Sequence, residues 1–136
     1  MTRDDVAYGA ATVWGEARGE SFEGKVAVAK VLFNRVADQR WPKTLKEVAT
    51  QRMQFSCWND NDPNKAKVVG VVNRIKEYRD LDEVILDCLA ALATAYASGP
   101  DMTEGANHYH TDSIQAYWSK GKTPSAKIGR HLFFKL

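Results

Sequence analysis

The chain has 136 residues, of which 44% are hydrophobic and 26% charged, with a formal net charge of +2. That length suits one domain, 1–136, with its own core, and so small a charge does not by itself indicate a nucleic-acid binder, so no nucleic acid is expected as a partner. No apolar run approaches the ~18 residues of a membrane span, and Met1-Thr-Arg-Asp-Asp is not a signal peptide; the expectation is cytoplasmic synthesis, a monomer and no integral membrane segment.

Residues 4–17 are predicted as a helix. Val6, Ala10, Val13, Trp14 and Ala17 recur at helical spacing; Asp4 or Asp5 can cap it, and Gly15 and Gly19 weaken it and mark its end. Ser21 can cap a second helix running to about Arg40. Its residues from Val26 to Val36 leave almost no polar face, which predicts a central buried helix. Trp41-Pro42 stops it. Thr44 can cap a short third helix holding Leu45 and Val48. Residues 51–65 have no period and read as a polar loop that carries Phe55 and Trp58, a type of loop that tends to be functional. Residues 66–79 are predicted helical. Asp80-x-x-Glu83 resembles a capping box, followed by an apolar stripe of Leu81, Ile85, Cys88, Leu89, Leu92 and Tyr96 that Gly99-Pro100 closes. Near the C-terminus Leu132, Phe134 and Leu136 alternate with His131, Phe133 and Lys135. A small hairpin between His108-Tyr-His110 and residues 129–135 is expected. The fold class is therefore mainly α (α+β).

Three groups of residues can carry chemistry. Glu16 lies at a helix end beside Trp14, an apolar setting of the kind that raises the pKa of a catalytic acid; a solvated carboxylate paired with Arg18 is the plainer reading, and Glu20 and Glu23 compete for the same role. His108 and His110 point to one face of a strand, and with His131 and Glu16 they invite a zinc reading against one in which they line a groove; no third ligand has motif spacing, so no metal or other cofactor is assigned. Gln54, Phe55, Ser56 and Trp58, with Tyr109, Tyr117 and Trp118, combine ring faces with amides and hydroxyls, as a sugar groove does; ordinary packing accounts for some of them. Cys57 and Cys88 make neither a disulfide framework nor a zinc cluster. One bridge or two buried thiols both remain open, and no motif supports Cys57 as a nucleophile.

Trp14-Gly-Glu-Ala-Arg-Gly-Glu20, Phe22-Glu-Gly-Lys-Val-Ala-Val-Ala-Lys-Val-Leu-Phe-Asn-Arg-Val36, Trp41-Pro, Gln54-Phe-Ser-Cys-Trp58, Gly105-Ala-Asn-His-Tyr-His110, Trp118 and Ile128-Gly-x-His-x-Phe-Phe134 together resemble the cell-wall hydrolase family typified by spore-cortex-lytic enzymes. The blocks span residues 8–134 in the family's order. The resemblance implies a lysozyme-like helical domain with a small β hairpin. It implies cleavage of peptidoglycan glycan strands at the N-acetylmuramic acid to N-acetylglucosamine β-1,4 bond by a lytic transglycosylase with one catalytic glutamate, which matches Glu16. A muramidase of the same bond and a non-catalytic wall-binding module are the alternatives. Gln54, Phe55, Ser56, Trp58, Asn107, His108, Tyr109, His110 and Trp118 are then expected to bind or line the sugar groove, Glu20 to support it, and Arg18 to turn away from Glu16, because a close guanidinium would lower that carboxylate's pKa. Asn107 departs from the threonine of many relatives, and residues 63–82 look like a variable insertion expected to alter groove shape. A lytic domain without a leader resembles a phage endolysin, released to the wall through a membrane hole.

Overall fold

A computed structural model describes residues 1–51, 54–97 and 99–136. Five helices precede a small antiparallel sheet: α1 (Arg3–Ala17), α2 (Phe22–Ala37), α3 (Leu45–Thr50), α4 (Lys65–Glu77), α5 (Glu83–Tyr96), β1 (His108–Thr111), β2 (Ala126–Ile128) and β3 (His131–Phe134). Single 3-10 turns lie at Ser56–Trp58 and Tyr117–Ser119. The mainly helical fold class holds.

Helix starts follow side-chain chemistry. Ser21, Thr44 and Asp82 each accept a backbone N–H from the first turn of α2, α3 and α5, which satisfies a donor with no partner inside the helix. Two expected caps shift. Thr2, not Asp4 or Asp5, caps α1 in a reciprocal capping box with Asp5, because a hydroxyl on the residue before the helix can reach the third N–H while Asp5 reaches back. Asp82 replaces the expected Asp80 box; Asp80 has a left-handed backbone, φ 55°, so it belongs to the turn leaving α4. The second helix ends at Ala37 rather than Arg40. The loop from 51 to 65 contains a 3-10 turn and the start of α4, and its residues Arg52 and Met53 lie outside the described residues.

α1, rather than α2 alone, is the centre of the helical layer: it packs against α2, α3, α4 and α5. Ala7, Ala10, Ala11 and Val13 are fully buried, and small side chains let four neighbours approach one helix. Gly15 belongs to this packing. It is not a terminator but lies inside α1, and a Cβ there would sit 2.8 Å from Cys57 Cβ. The missing side chain is what brings the 3-10 turn of residues 56–58 against the helix that carries Glu16. Within α2 the apolar run is buried as expected, together with two cations that the pattern did not foretell, Lys25 and Arg35. Lys25 Nζ donates to the Glu20 carbonyl at 2.7 Å and ties the α1–α2 turn to α2. Cys57 and Cys88 are both buried free thiols, so no bridge forms.

The sheet order is β1-β3-β2. The expected pairing of the His-Tyr-His strand with the C-terminal strand is present, in the register His108↔Phe134, Tyr109↔Phe133, His110↔Leu132 and Thr111↔His131. β2, which the sequence reading left out, pairs on the other side of β3 through a turn at Gly129-Arg130. Side chains alternate across a strand, so Tyr109, Phe133 and His131 share one face, while His108, His110 and Phe134 share the other. Helical and sheet layers enclose a cleft between them.

Candidate active site

Glu16 stands in the last turn of α1, part-buried, where two cavities meet. The larger, about 650 Å³, is bounded by α1, the 54–59 loop, β1 and the 114–118 segment. The smaller, about 210 Å³, lies toward Glu20, Asp112 and Arg130. Both are lined by Glu16 and His131, so the two residues sit at the middle of one continuous groove. α1 determines how Glu16 enters it: Ala17 beside it is buried in the core, and the Gly15–Cys57 contact closes the helix face behind it.

The Tyr109 hydroxyl donates to Glu16 Oε1 at 2.6 Å. Burial first, and then the Glu16 carboxylate, push the phenol well above its ordinary pKa, so it remains a donor at any ordinary pH. Ser56 Oγ donates weakly to Glu16 Oε2 at 3.5 Å, the long limit of such a bond. One carboxylate oxygen is thereby fixed by Tyr109, and the other is held loosely at the groove.

Arg18 turns away, as expected. Its guanidinium lies over the Trp14 ring at 4.2 Å, bonds the Trp14 carbonyl and reaches Asn64 Oδ1 at 3.1 Å. Glu20 lines the smaller cavity. Its side chain is only 6% exposed, and its carboxylate accepts the Arg130 backbone N–H at 2.9 Å and Arg130 Nε at 3.1 Å. Burial would raise its pKa, yet the bonds from Arg130 win and hold it below the ordinary value. Glu20 thus clamps the β2–β3 turn, where Gly129 has φ 58° and a Cβ would meet Glu20 Oε1 at 2.5 Å.

The other expected groove residues divide. Phe55 and Tyr109 form the floor, with ring centroids 6.3 Å apart. His108 lies between Trp118 and Trp41, at 4.9 and 5.9 Å. Burial, with the charges of Arg35 and Arg40, lowers its pKa to about 4, so it is a neutral imidazole that donates from Nδ1 to Asn107 Oδ1 at 2.8 Å. His110 lines the groove, but its nitrogens are engaged by the Thr111 carbonyl and Ser119 Oγ; it braces Trp118 and Phe134 rather than offering a free polar atom. Gln54 is exposed on the rim, with Oε1 committed to Arg35. Tyr117 is 92% exposed at the lip.

Three expected contributors to the groove lie outside its lining. Trp58 does not line either cavity. It stacks on Tyr8 at 5.4 Å and donates from Nε1 to Thr12 Oγ1, because the 3-10 turn rotates it onto α1 while exposing Ser56. Asn107 is buried and contributes no lining atom; its amide holds the Leu136 carbonyl and N–H and the His108 ring, so it acts on the groove only by fixing His108. Residues 63–82, expected to alter groove shape, also contribute no lining residue. The zinc reading does not assemble either. His131 faces Tyr109 while His108 and His110 face the opposite way, and among the described residues no cluster of three or more His, Cys, Asp or Glu could hold a metal. Cys57 is a poor nucleophile: burial and the nearby Glu16 charge push its thiol far above the ordinary value.

Sequence reasoning missed Arg35 and the groove position of His131. The His131 ring lies edge-on to Tyr109 at 5.0 Å. Its buried Nδ1 has no hydrogen-bond partner and is 3.7 Å from Glu20 Oε1. Burial lowers its pKa, and the Glu20 and Glu16 carboxylates oppose this in part. A polar residue within a short aromatic strand was the available signal. For Arg35, the signal was a cation at helical spacing from Val28, Val31 and Leu32, all of them buried.

A helical domain with one carboxylate at the centre of an aromatic-walled groove is a form that family membership can make specific. The Cell Wall Hydrolase family profile matches residues 19–134, and the chain belongs to that family. The spore cortex-lytic enzyme of Bacillus subtilis (strain 168) is 28% identical over 138 residues, covering 98% of this chain and 38% of that protein. That of Oceanobacillus iheyensis is 29% identical, with 98% and 42% covered. The chain therefore spans about two fifths of the length of these curated relatives. Among solved structures, the catalytic domain of the Bacillus cereus SleB protein superposes with a TM-score of 0.75 at 28% identity, covering 99% of this chain and 92% of that one. The catalytic domain of the germination-specific lytic transglycosylase SleB from Bacillus anthracis gives 0.74 at 29% identity, with 99% and 97% covered. The lysozyme-like helical fold expected from the sequence agrees with these neighbours. The family match begins at Gly19, beyond Glu16, so the role of Glu16 is argued from geometry.

Proposed function

We propose that this domain cleaves the glycan strand of peptidoglycan at the N-acetylmuramic acid to N-acetylglucosamine β-1,4 bond as a lytic transglycosylase, with Glu16 as acid and then base. One observation carries the reading: Glu16 is the sole acidic residue lining the larger cavity among the described residues, with one oxygen bonded by Tyr109 and the other held only at the long limit of a bond from Ser56. Because Tyr109 donates to Oε1, that oxygen is the acceptor in both states of the carboxyl group. The transferable proton resides on Oε2, toward the substrate.

In the first step this proton moves to the glycosidic oxygen as the bond to C1 breaks. The substrate's 2-acetamido group stabilises the positive charge at C1, which removes the need for a second carboxylate. In the second step Glu16, now ionised, takes the proton of the muramic acid C6 hydroxyl. That oxygen closes on C1 and leaves a 1,6-anhydro end. The neighbouring acids fit spectator roles. Glu20 is committed to Arg130, and Asp112 lies 3.6 Å from Lys127. His108 and Trp118 offer ring faces to sugars. The names of the SleB relatives, which include a lytic transglycosylase, support the reaction class.

Glu16→Gln keeps the shape and removes the proton. It is expected to fold as wild type and to lose nearly all lysis of purified walls, a fall of at least about a thousandfold for loss of the essential acid. Clearance at the wild-type rate would end the assignment. Mass spectrometry of wild-type digests decides the outcome at C1: anhydro ends mean a transglycosylase, and reducing ends mean a muramidase that uses water.

A further inference from the structure

Among the described residues Arg35 is the one arginine placed in the core: it is 3% exposed, yet it lines the larger cavity. A buried guanidinium ordinarily has a carboxylate beside it, because removing the charge from water costs several kcal/mol unless it is paired. Among the described residues Arg35 has no ion pair with any carboxylate. Its Nε donates to the Asn107 carbonyl at 2.7 Å and Nη1 to Gln54 Oε1 at 3.0 Å. The rings of Phe55 and Trp41 lie 5.0 and 5.3 Å from its centre. Carbonyl, amide and π faces hold its orientation but bring no negative charge. Burial accordingly lowers its pKa to about 10, well above neutrality, so the charge persists.

Nη2 has no protein acceptor among the described residues. The fully enclosed side-chain atoms without partners are Gln51 Oε1 and His131 Nδ1, and no nitrogen of Arg35 is among them. Its uncommitted nitrogen therefore opens on the groove, where Arg35 lines it. We propose that Arg35 is a carboxylate-binding residue of the groove, taking the acid of a muramyl unit whose peptide stem is trimmed: its own lactyl carboxylate where the stem is gone, or that of the first stem residue where only this residue is left. The inference rests on the glycan-strand reading above and adds a specificity element to it. A glycan of N-acetylglucosamine alone carries no acid and gains nothing from Arg35. A muramyl unit trimmed in this way supplies the missing counter-charge through a charge-assisted bond, the strong kind in a site of low dielectric. The guanidinium is already oriented by Gln54, Asn107 and two rings, so little entropy is lost on binding.

The test is binding, not cleavage, and uses the Glu16→Gln protein with the disaccharide N-acetylglucosaminyl-N-acetylmuramic acid in three forms: free acid, lactyl methylamide, and the form carrying L-alanine. NMR titration gives each Kd. The free acid is expected to bind about tenfold more tightly than the methylamide, the usual scale of one charge-assisted bond partly screened by solvent. The L-alanine form assigns the source. Binding like the methylamide identifies the lactyl carboxylate, and binding like the free acid extends the site to the stem. Equal affinity of all three overturns the proposal, and that comparison needs no change at Arg35. In Glu16→Gln/Arg35→Gln the preference for the free acid is expected to vanish, and in Glu16→Gln/Arg35→Lys to survive in part. A preference undiminished in a folded Arg35→Gln protein also overturns it. Should Glu16→Gln still cleave walls, the catalytic assignment fails while these ligand ratios continue to report on Arg35 alone.

Discussion

On the helical wall of the groove, Glu16 is placed by backbone. α1 runs through the centre of the core, Gly15 lets the Cys57 turn close against it, and the carboxylate projects from the last turn of a helix held on every side. On the sheet wall, the chemistry is placed by side chains acting on one another. Tyr109 is aimed by its register opposite Phe133, His108 by the Asn107 amide, and the β2–β3 turn by the Glu20 carboxylate. In the proposed reaction the helical wall supplies the reacting atom, and the Tyr109 bond from the sheet wall engages one of its two oxygens. A helix in a packed core resists displacement, whereas a three-stranded sheet of short strands needs outside contacts for its stability. The polar contacts of the second wall are therefore as necessary to the site as the apolar packing of the first.

Three changes can break or sharpen that contrast. The largest effect is expected across the groove itself. Tyr109→Phe leaves the ring packing but removes the donor to Glu16 Oε1, so either oxygen can carry the proton. We expect kcat to fall roughly ten- to a hundredfold, about 1.4–2.7 kcal/mol, with Tm nearly unchanged. A kcat within twofold of wild type would mean that the sheet wall does not orient the carboxylate.

Gly15→Ala probes the helical wall. Alanine favours a helix over glycine by about 1 kcal/mol, but the new Cβ meets Cys57 Cβ at 2.8 Å and Sγ at 2.9 Å. Overpacking of this kind costs about 1–3 kcal/mol. We expect a net loss of about 1 kcal/mol in denaturant unfolding, and lower activity because Glu16 is the next residue. A stabilised protein would show that the turn of residues 56–58 yields easily.

The smallest effect is a pH dependence on the sheet wall. His108 has a folded pKa of about 4 against an ordinary 6.5. Between those values the unfolded chain binds more protons than the folded one, so stability rises with pH. This contribution is full above about 6.5 and is lost as the pH falls toward 4. His108→Gln is expected to flatten the stability profile in that window by about 1 kcal/mol after solvent screening. Identical slopes in wild type and variant would place the titration elsewhere.

The helices were legible because their signals are local. The periodicity of Ile85, Cys88 and Leu92, and the hydroxyls of Ser21 and Thr44, act within one turn of the chain they organise. The pairing of residues 108–110 with the C-terminal strand was legible from alternation, and the retreat of Arg18 from electrostatics. Trp58 and Asn107 were misplaced for a common reason. Each has an aromatic or amide group that suits a sugar as well as a protein partner, and which one it meets depends on Thr12, Tyr8 or Leu136, far away in sequence.

The sequence by itself determined the helical layer, the pairing of the His-Tyr-His strand with the C-terminal strand and the family, because apolar period, capping chemistry and motif order are written in neighbouring residues. Only the tertiary structure decided the site. It brought Tyr109 across 93 positions to Glu16, committed Glu20 to Arg130 and left the buried charge of Arg35 facing the groove. Those outcomes depend on which polar atoms remain unpaired once every other group has found its partner, and a linear pattern does not carry that information.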